Sequence, residues 1–445
     1  MIEDKDGNYV VKEYVAETGG EKYIYLQDAI DAANGGTVTL VADTTESVEI
    51  PAGVEVTLDL GEFTLTNEAG KHTITNRGTL TISGNGTVDN ISHARGALVN
   101  YGTATMVGGT LTRSAEAGSS PTESGGNSWY VVDNNGGTMT VKGGTIVNTS
   151  GFSSLIRNLN ATFNMEDGVL QNKFIALKND DNGIIDMTGG TITTTGAGGS
   201  AVQNWGEFTM SGGELNAPDD AKAIYALAWD DQYKKPTAVI RDGAVVNGDI
   251  LVEVDTANSD GIARPDLVIE GGDINGDIEV GTDGDVVVDG GSVSGSVTST
   301  NEGGTLKVSG GEFAVMPNSE YIDPNMTAVE YTAQDGSKVS YIGTAEEVVQ
   351  KLASAGAGDT VEIVQGDVAL TLPEGVTVEN KGEGEVVVNG ETVEPGETII
   401  VAEVKTVYYK DAATGVILNT DTTKVPDGSY LLVKQVAETE QAHAD

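Results

Sequence analysis

Ten times along the chain a strand-sized apolar segment ends in a glycine-bearing turn and is followed by a second short apolar segment. Gly102-Thr103-Ala104-Thr105-Met106-Val107-Gly108-Gly109-Thr110-Leu111 is one copy, and Gly304-Thr305-Leu306-Lys307-Val308-Ser309-Gly310-Gly311-Glu312-Phe313 is another. The turns fall at Gly84, Gly108, Gly143, Gly168, Gly189, Gly212, Gly243, Gly271, Gly290 and Gly310, often 19 to 25 residues apart, the period of a one-dimensional coil repeat. Such a chain is a solenoid, because each unit buries its apolar face only against the next. Leu80 and Ile82, Phe208 and Met210, and Leu306 and Val308 alternate with their neighbours, which turns one face of each strand inward. Coils of about 20 to 24 residues are longer than hexapeptide-based left-handed coils. The expected fold is therefore all-β, a right-handed parallel β-helix of about 10–12 coils and about 50 Å along its axis, followed by small C-terminal α+β or β modules.

Asn76, Asn100 and Asn204 each stand two residues before the glycine that opens a unit, and Asn134, Asn158 and Asn179 occupy about the same place in the coils between. Asparagine tolerates left-handed backbone, and its amide both donates and accepts, so stacked copies can bond from coil to coil. These six residues are expected to form a structural ladder at a solenoid corner, with no part in ligand binding. Around Gly248, Gly276 and Gly295 the Asn corner is lost and the turns close up to 19 and 20 residues, which implies a tighter rod.

One device occurs twice. A short helix near residues 26–33 precedes Thr37-Val38-Thr39-Leu40 and Pro51-Ala52-Gly53-Val54, and a second, from the capping-box pattern Thr344-Ala345-Glu346-Glu347, precedes Thr360-Val361-Glu362-Ile363 and Pro373-Glu374-Gly375-Val376. The first is expected to cap the open end of the rod and the second to start a new module. The resulting division is a lead-in over residues 1–20, the β-helix over 21–320, a helix-plus-strand module over 321–400, and a small β module with an acidic tail over 401–445.

With 24 Lys and Arg against 68 Asp and Glu, the formal charge is −44. Such a field repels phosphate backbones and argues against nucleic acid and anionic membranes as partners. The chain has no cysteine, which excludes thiol chemistry and Cys-ligated metals. No spacing of acidic residues approaches a calcium-binding repeat, so no metal site or cofactor is expected, with Ca²⁺ the one weak candidate. The N-terminus does not read as a signal peptide, and no run is long enough to span a membrane. The expected setting is an extracellular bacterial surface, with the chain part of a larger precursor.

The helix followed by Gly36-Thr37-Val38-Thr39-Leu40-Val41-Ala42-Asp43 and Thr57-Leu58-Asp59-Leu60-Gly61, and then the Gly-Gly-Thr turns, resembles the pectin-lyase-like β-helix regions of large adhesin-like surface proteins of gut bacteria. The likeness covers roughly residues 20 to 315 and, more weakly, 342 to 395; residues 407–432 are faintly similar to the β modules that follow such regions. It implies the fold and a surface role, since its motifs are structural.

Two insertions break the coil spacing, over residues 112–129 and 216–236. Both follow a Gly-Gly-x-apolar element, so both are expected on one edge of the rod with a groove between them. Trp129, Tyr130, Trp205, Tyr225, Trp229, Tyr233, Asp230 and Asp231 are the candidate binding residues, because sugar C–H faces pack on aromatic rings while hydroxyls need acceptors. A plainer alternative makes Tyr225 and Trp229 one face of a short helix packed on the solenoid.

Catalysis finds less support. Asp180-Asp181, Asp219-Asp220 and Asp230-Asp231 offer paired carboxylates, but neighbours on a strand point to opposite faces. Lyases of this fold pair Ca²⁺-binding Asp groups with a basic residue, a part Arg157 or Lys178 would have to play. His72, His93 and His443 lack the Gly-His-Gly flanks of β-helix hydrolases, and there is no nucleophile elbow. The expected function is thus a non-catalytic, adhesin-like stalk and binding surface for a glycan or host surface protein. The alternatives are a polysaccharide lyase or glycoside hydrolase, and a purely structural spacer.

Overall fold

A computed structural model describes residues 13–33, 35–114, 129–149, 153–228, 235–254 and 263–402 in full, and the strands Ile2–Glu3, Tyr9–Val10, Lys405–Asp411, Ile417–Leu418 and Tyr430–Ala437 as backbone. The chain divides into two units, Met1–Ile322 and Asp323–Asp445.

The first unit is a right-handed parallel β-helix. Each coil contributes one strand to a narrow sheet of 11 parallel strands, running from Val48–Ile50 to Val297–Ser299, and a longer stretch to a broad second sheet. Alternation sets the faces: Leu80, Ile82, Phe163, Phe208 and Phe313 are buried while the residues between them face outward. Each such side chain stabilises the coil by about 1.5–3 kcal/mol, provided the next coil covers it.

The glycine turn is not a chain reversal in the middle coils. Thr138–Asn148, Thr162–Asn172 and Ile184–Thr194 are continuous strands of the broad sheet, and the Gly-Gly dipeptide, replaced by Asp167-Gly168 in the second, is a bend within them, marked by register shifts at Lys142 and Thr188. The second glycine carries a positive φ, 87° at Gly144 and 81° at Gly190, which L side chains rarely adopt. A β-bulge is what the repeat encodes there.

The corner asparagines form a continuous ladder. Nδ2 of Asn76 donates to Oδ1 of Asn100 at 2.7 Å, and the pattern continues through Asn134 (2.8 Å), Asn158 (2.7 Å), Asn179 (2.9 Å) and Asn204 (2.8 Å). All six are fully buried, and their amides also donate to main-chain carbonyls at the corner, as Asn158 does to Ala161 and Ile184. Beyond Asn204 the column passes to Ala226 and Val252, so this corner loses its amides. A second ladder takes over at the opposite corner: Asn275 donates to Asn247 and Asn247 to Asn216, both at 2.8 Å. The expectation that the later coils do without an Asn corner holds for the first corner only.

Helix α1 (Leu26–Ala33) packs on strands Ala16–Thr18, Thr37–Leu40 and Val48–Ile50 through Leu26, Ala29 and Ile30. Its start is capped from a distance, by Glu46 accepting from the N–H groups of Leu26 (2.8 Å) and Gln27 (2.9 Å). Ala16–Thr18 pairs antiparallel with both Glu21–Tyr23 and Thr37–Leu40, and Thr37–Leu40 then starts the parallel stack with Glu55–Asp59.

The second unit repeats that order. Thr327–Thr332 pairs antiparallel with Lys338–Gly343 and with Thr360–Gln365, and Thr360–Gln365 pairs parallel with Thr377–Asn380. Between them lies helix α2 (Ala345–Lys351), whose capping box joins Thr344 and Glu347 as the sequence suggested. Val368–Leu370 and Val386–Val388 add a second parallel pair, and Glu391–Val393 and Thr398–Ile400 end both stacks with antiparallel strands. This unit is a short solenoid with its own core around Val329, Val361, Val378 and Val386. The strands at 405–411, 417–418 and 430–437 form a separate antiparallel sheet.

Replacing Asn158 by Leu leaves Asn179 Oδ1 and the Ile184 carbonyl without their buried donor. The expected cost is about 2–3 kcal/mol, read as a lower urea midpoint. A Thr81→Ser change on the outer face is expected to stay within about 0.5 kcal/mol of wild type.

A candidate binding face on the narrow sheet

Parallel pairing in register stacks the central residue of each narrow-sheet strand into one outward column. It runs Val99, Asp133, Arg157, Lys178, Gln203, Tyr225 and Leu251, residues 21 to 34 apart in sequence and one rung apart in space. The inward neighbours of each are the core and the Asn ladder, which leave the column no freedom to slip.

At one end of this column Trp129 and Tyr130 fold over the sheet. The Arg157 guanidinium sits 4.9 Å from the Tyr130 ring centre and 6.0 Å from that of Trp129, while Trp129 packs on His72 at 5.6 Å. Val99 and Asp133 are buried although they point outward. Arg157 donates to both oxygens of Asp133, at 2.8 and 2.9 Å. The two side chains are 21% and 3% exposed, so this is a largely desolvated bidentate pair. Burial works against the Arg157 charge, but the Asp133 hydrogen bonds and charge outweigh it and hold the guanidinium above its ordinary pKa. Burial also pushes the Tyr130 hydroxyl up to about 12, against the pull of Arg157.

Further along, the Lys178 ammonium lies 4.4 Å from the Trp205 ring centre and 3.2 Å from an Asp180 carboxylate oxygen. Burial raises the Asp180 pKa, and the nearby Lys178 charge offsets only part of that. Lys222 is 3.2 Å from Asp249, and the Tyr225 hydroxyl donates to Glu253 at 2.7 Å. Each of the three cations on this face therefore has a carboxylate within hydrogen-bonding range. In a chain of formal charge −44, the face is a near-neutral, aromatic exception.

Two expectations change. Tyr225 is on a strand, Lys222–Ala228, in register with Gln203 and Leu251, and not on a helix, because its neighbours Ile224 and Ala226 are needed inside the solenoid. That strand also divides the second insertion. The course of residues 115–128 and 229–234, and with it the expected groove between two insertions, lies outside the described residues. Trp129, Tyr130, Trp205 and Tyr225 lie on or beside the outer face of the narrow sheet. Trp229, Asp230, Asp231 and Tyr233 lie outside the described residues. Asp133, Gln203 and Leu251 belong to the face and were not singled out in the sequence; only the spacing from the Asn ladder, each one residue before a ladder position or its continuation, points to them.

As a base, Arg157 is unsuited, since Asp133 keeps it charged and immobile. Among the described residues, no group of three or more His, Asp or Glu side chains is arranged to hold a metal ion. No described helix is long and apolar enough to cross a membrane. Compared with protein-family models, curated proteins and solved structures, the chain matches none.

Replacing Arg157 by Met leaves the Asp133 charge buried without its partner, at an expected cost of about 3–5 kcal/mol. Adding Asp133→Asn is expected to restore most of that; a double variant as unstable as the single would contradict the pairing, with urea midpoints as the readout. His72, half-buried against Trp129, has its pKa lowered from 6.5 by burial first and then by Arg95, with Asp133 opposing. The folded state thus binds this proton less tightly than the unfolded chain, so stability is full above pH 6.5 and is lost as pH falls through the lower folded value. The thermal midpoint of His72→Gln is expected to fall less than that of wild type between pH 7.5 and 5.

Proposed function

We propose that residues 1–322 form a non-catalytic, adhesin-like extracellular stalk that takes an uncharged glycan along the outer face of its narrow sheet. The observation that carries this reading is the in-register outward column from Asp133 to Leu251, bordered by the Trp129, Tyr130 and Trp205 rings. The half-buried Trp129, Tyr130 and Tyr225 rings supply apolar faces for pyranose C–H groups, while Trp205 is buried beneath Lys178, and the fixed carboxylates, amide and hydroxyl supply hydrogen-bond partners. Because cations and carboxylates cancel on the face, a neutral polyhydroxyl ligand suits it better than a polyanion. The same cancellation weighs against a lyase, which needs a free base where this chain has a clamped arginine. The acidic remainder of the surface and the absence of cysteine suit a solvated, disulfide-free surface protein.

An array of neutral and acidic oligosaccharides, probed with the full chain, tests the reading. Uncharged glycans are expected to be retained, with at least a tenfold loss in a Trp129→Ala, Tyr130→Ala double variant that keeps its β-sheet circular dichroism. Binding that is indifferent to that variant, or confined to acidic glycans, contradicts it.

A further inference from the structure

Within the proposed glycan face, one concavity has the size and chemistry of a single-residue pocket. It encloses about 250 Å³ where the Gln203 and Tyr225 rungs meet the chain segments that lead into three successive narrow-sheet strands. This is below the roughly 300 Å³ at which pockets for drug-sized ligands begin, so it suits one ring and not a run of them. Tyr225 and Leu251 of the outward column line it as its floor, together with Phe174 and Ile175. Polar groups come from Ser200, Gln203, Asp220 and Lys222. The rim is already tied, since the Gly198 N–H donates to the Asp220 carbonyl at 2.7 Å and the Lys222 N–H to the Gly199 carbonyl at 3.0 Å.

Gln203 provides the independent pointer to a ligand. Its Oε1 is buried and accepts no hydrogen bond from any described residue. An amide oxygen withdrawn from solvent without a donor costs about 1–3 kcal/mol, and a ligand hydroxyl at that position would recover it. The Tyr225 hydroxyl is committed to Glu253 and the Lys222 ammonium to Asp249, which orients the floor and cancels the cation. Asp220 adds a carboxylate, so an anionic sugar would meet repulsion with no free positive charge to offset it.

We infer that this pocket binds the terminal, uncharged pyranose of a glycan, with a C–H face of the sugar on Tyr225 and Leu251 and a hydroxyl donating to Gln203 Oε1. The inference rests on the glycan reading above and adds where the chain end sits and what sugar class it takes. The rest of the oligosaccharide would run along the column towards Lys178 and Arg157.

Saturation-transfer NMR on the full chain tests it, with methyl glycosides of glucose, galactose, mannose, fucose and N-acetylglucosamine as probes and galacturonic and sialic acids as charged counterparts. At least one neutral methyl glycoside is expected to receive saturation at its ring C–H protons, and the acids none. Gln203→Met, which keeps the shape of the side chain, and Tyr225→Ala are each expected to weaken that probe at least tenfold, and the neutral monosaccharide to compete with a retained oligosaccharide. If oligosaccharides bind but no monosaccharide does, or if Gln203→Met binds as wild type, the pocket assignment is overturned while the glycan face stands. If neither class binds, both are overturned; preference for the acids overturns the uncharged class.

Discussion

Coil-to-coil register is the constraint on which the rest of this structure depends. Main-chain hydrogen bonds between parallel strands set the spacing of about 4.8 Å, but they would tolerate a slip; the buried side chains do not. A shift by one residue would turn Leu98 and Asn100 outward and bring Val99 in, and it would break the amide chain that joins Asn76 to Asn204. The ladder is expensive to leave incomplete because every amide in it is buried. It therefore pins each rung to the next, and the outward column inherits that precision.

Function follows from that inheritance. Residues far apart in sequence, Asp133, Arg157, Lys178, Gln203 and Tyr225, become immediate neighbours only because the rungs are in register. Arg157 is matched by Asp133 on the next rung, Lys178 by Asp180 on its own strand and Lys222 by Asp249, and half-buried rings border them, so a strongly acidic chain acquires one face where charge is matched beside aromatic side chains. Rigid backbone below and paired side chains above make this face pre-formed, which lowers the ordering cost of binding a flexible sugar chain.

The solenoid, the six-residue Asn ladder and the duplicated helix were legible in the sequence because each is a local pattern repeated: alternation, a polar residue at a fixed offset, a capping box. What was hidden depended on the third dimension. The remote cap on α1 comes from Glu46, 20 residues away, and leaves no local signal. The second ladder, Asn216, Asn247 and Asn275, begins only where coil lengths are uneven, 31 and then 28 residues. The helical reading of Tyr225 fails because in its strand Ala223, Ile224, Ala226 and Leu227 are all buried, and that burial overrides the spacing. The aromatic residues were visible as candidates, whereas Asp133, Gln203 and Leu251 became meaningful only through pairing.

The most direct test of this account is the distance along the outward column. The chain contains no cysteine, so Thr75→Cys and Glu279→Cys can be labelled uniquely with nitroxides. These residues stand eight rungs apart in the same column. Pulsed electron–electron resonance should give one narrow distance near 38 Å, eight times the inter-strand spacing of about 4.8 Å. A broad distribution, or a mean that departs from this by more than about two rungs, would show that the coils are not held in register and that the face described here is not formed.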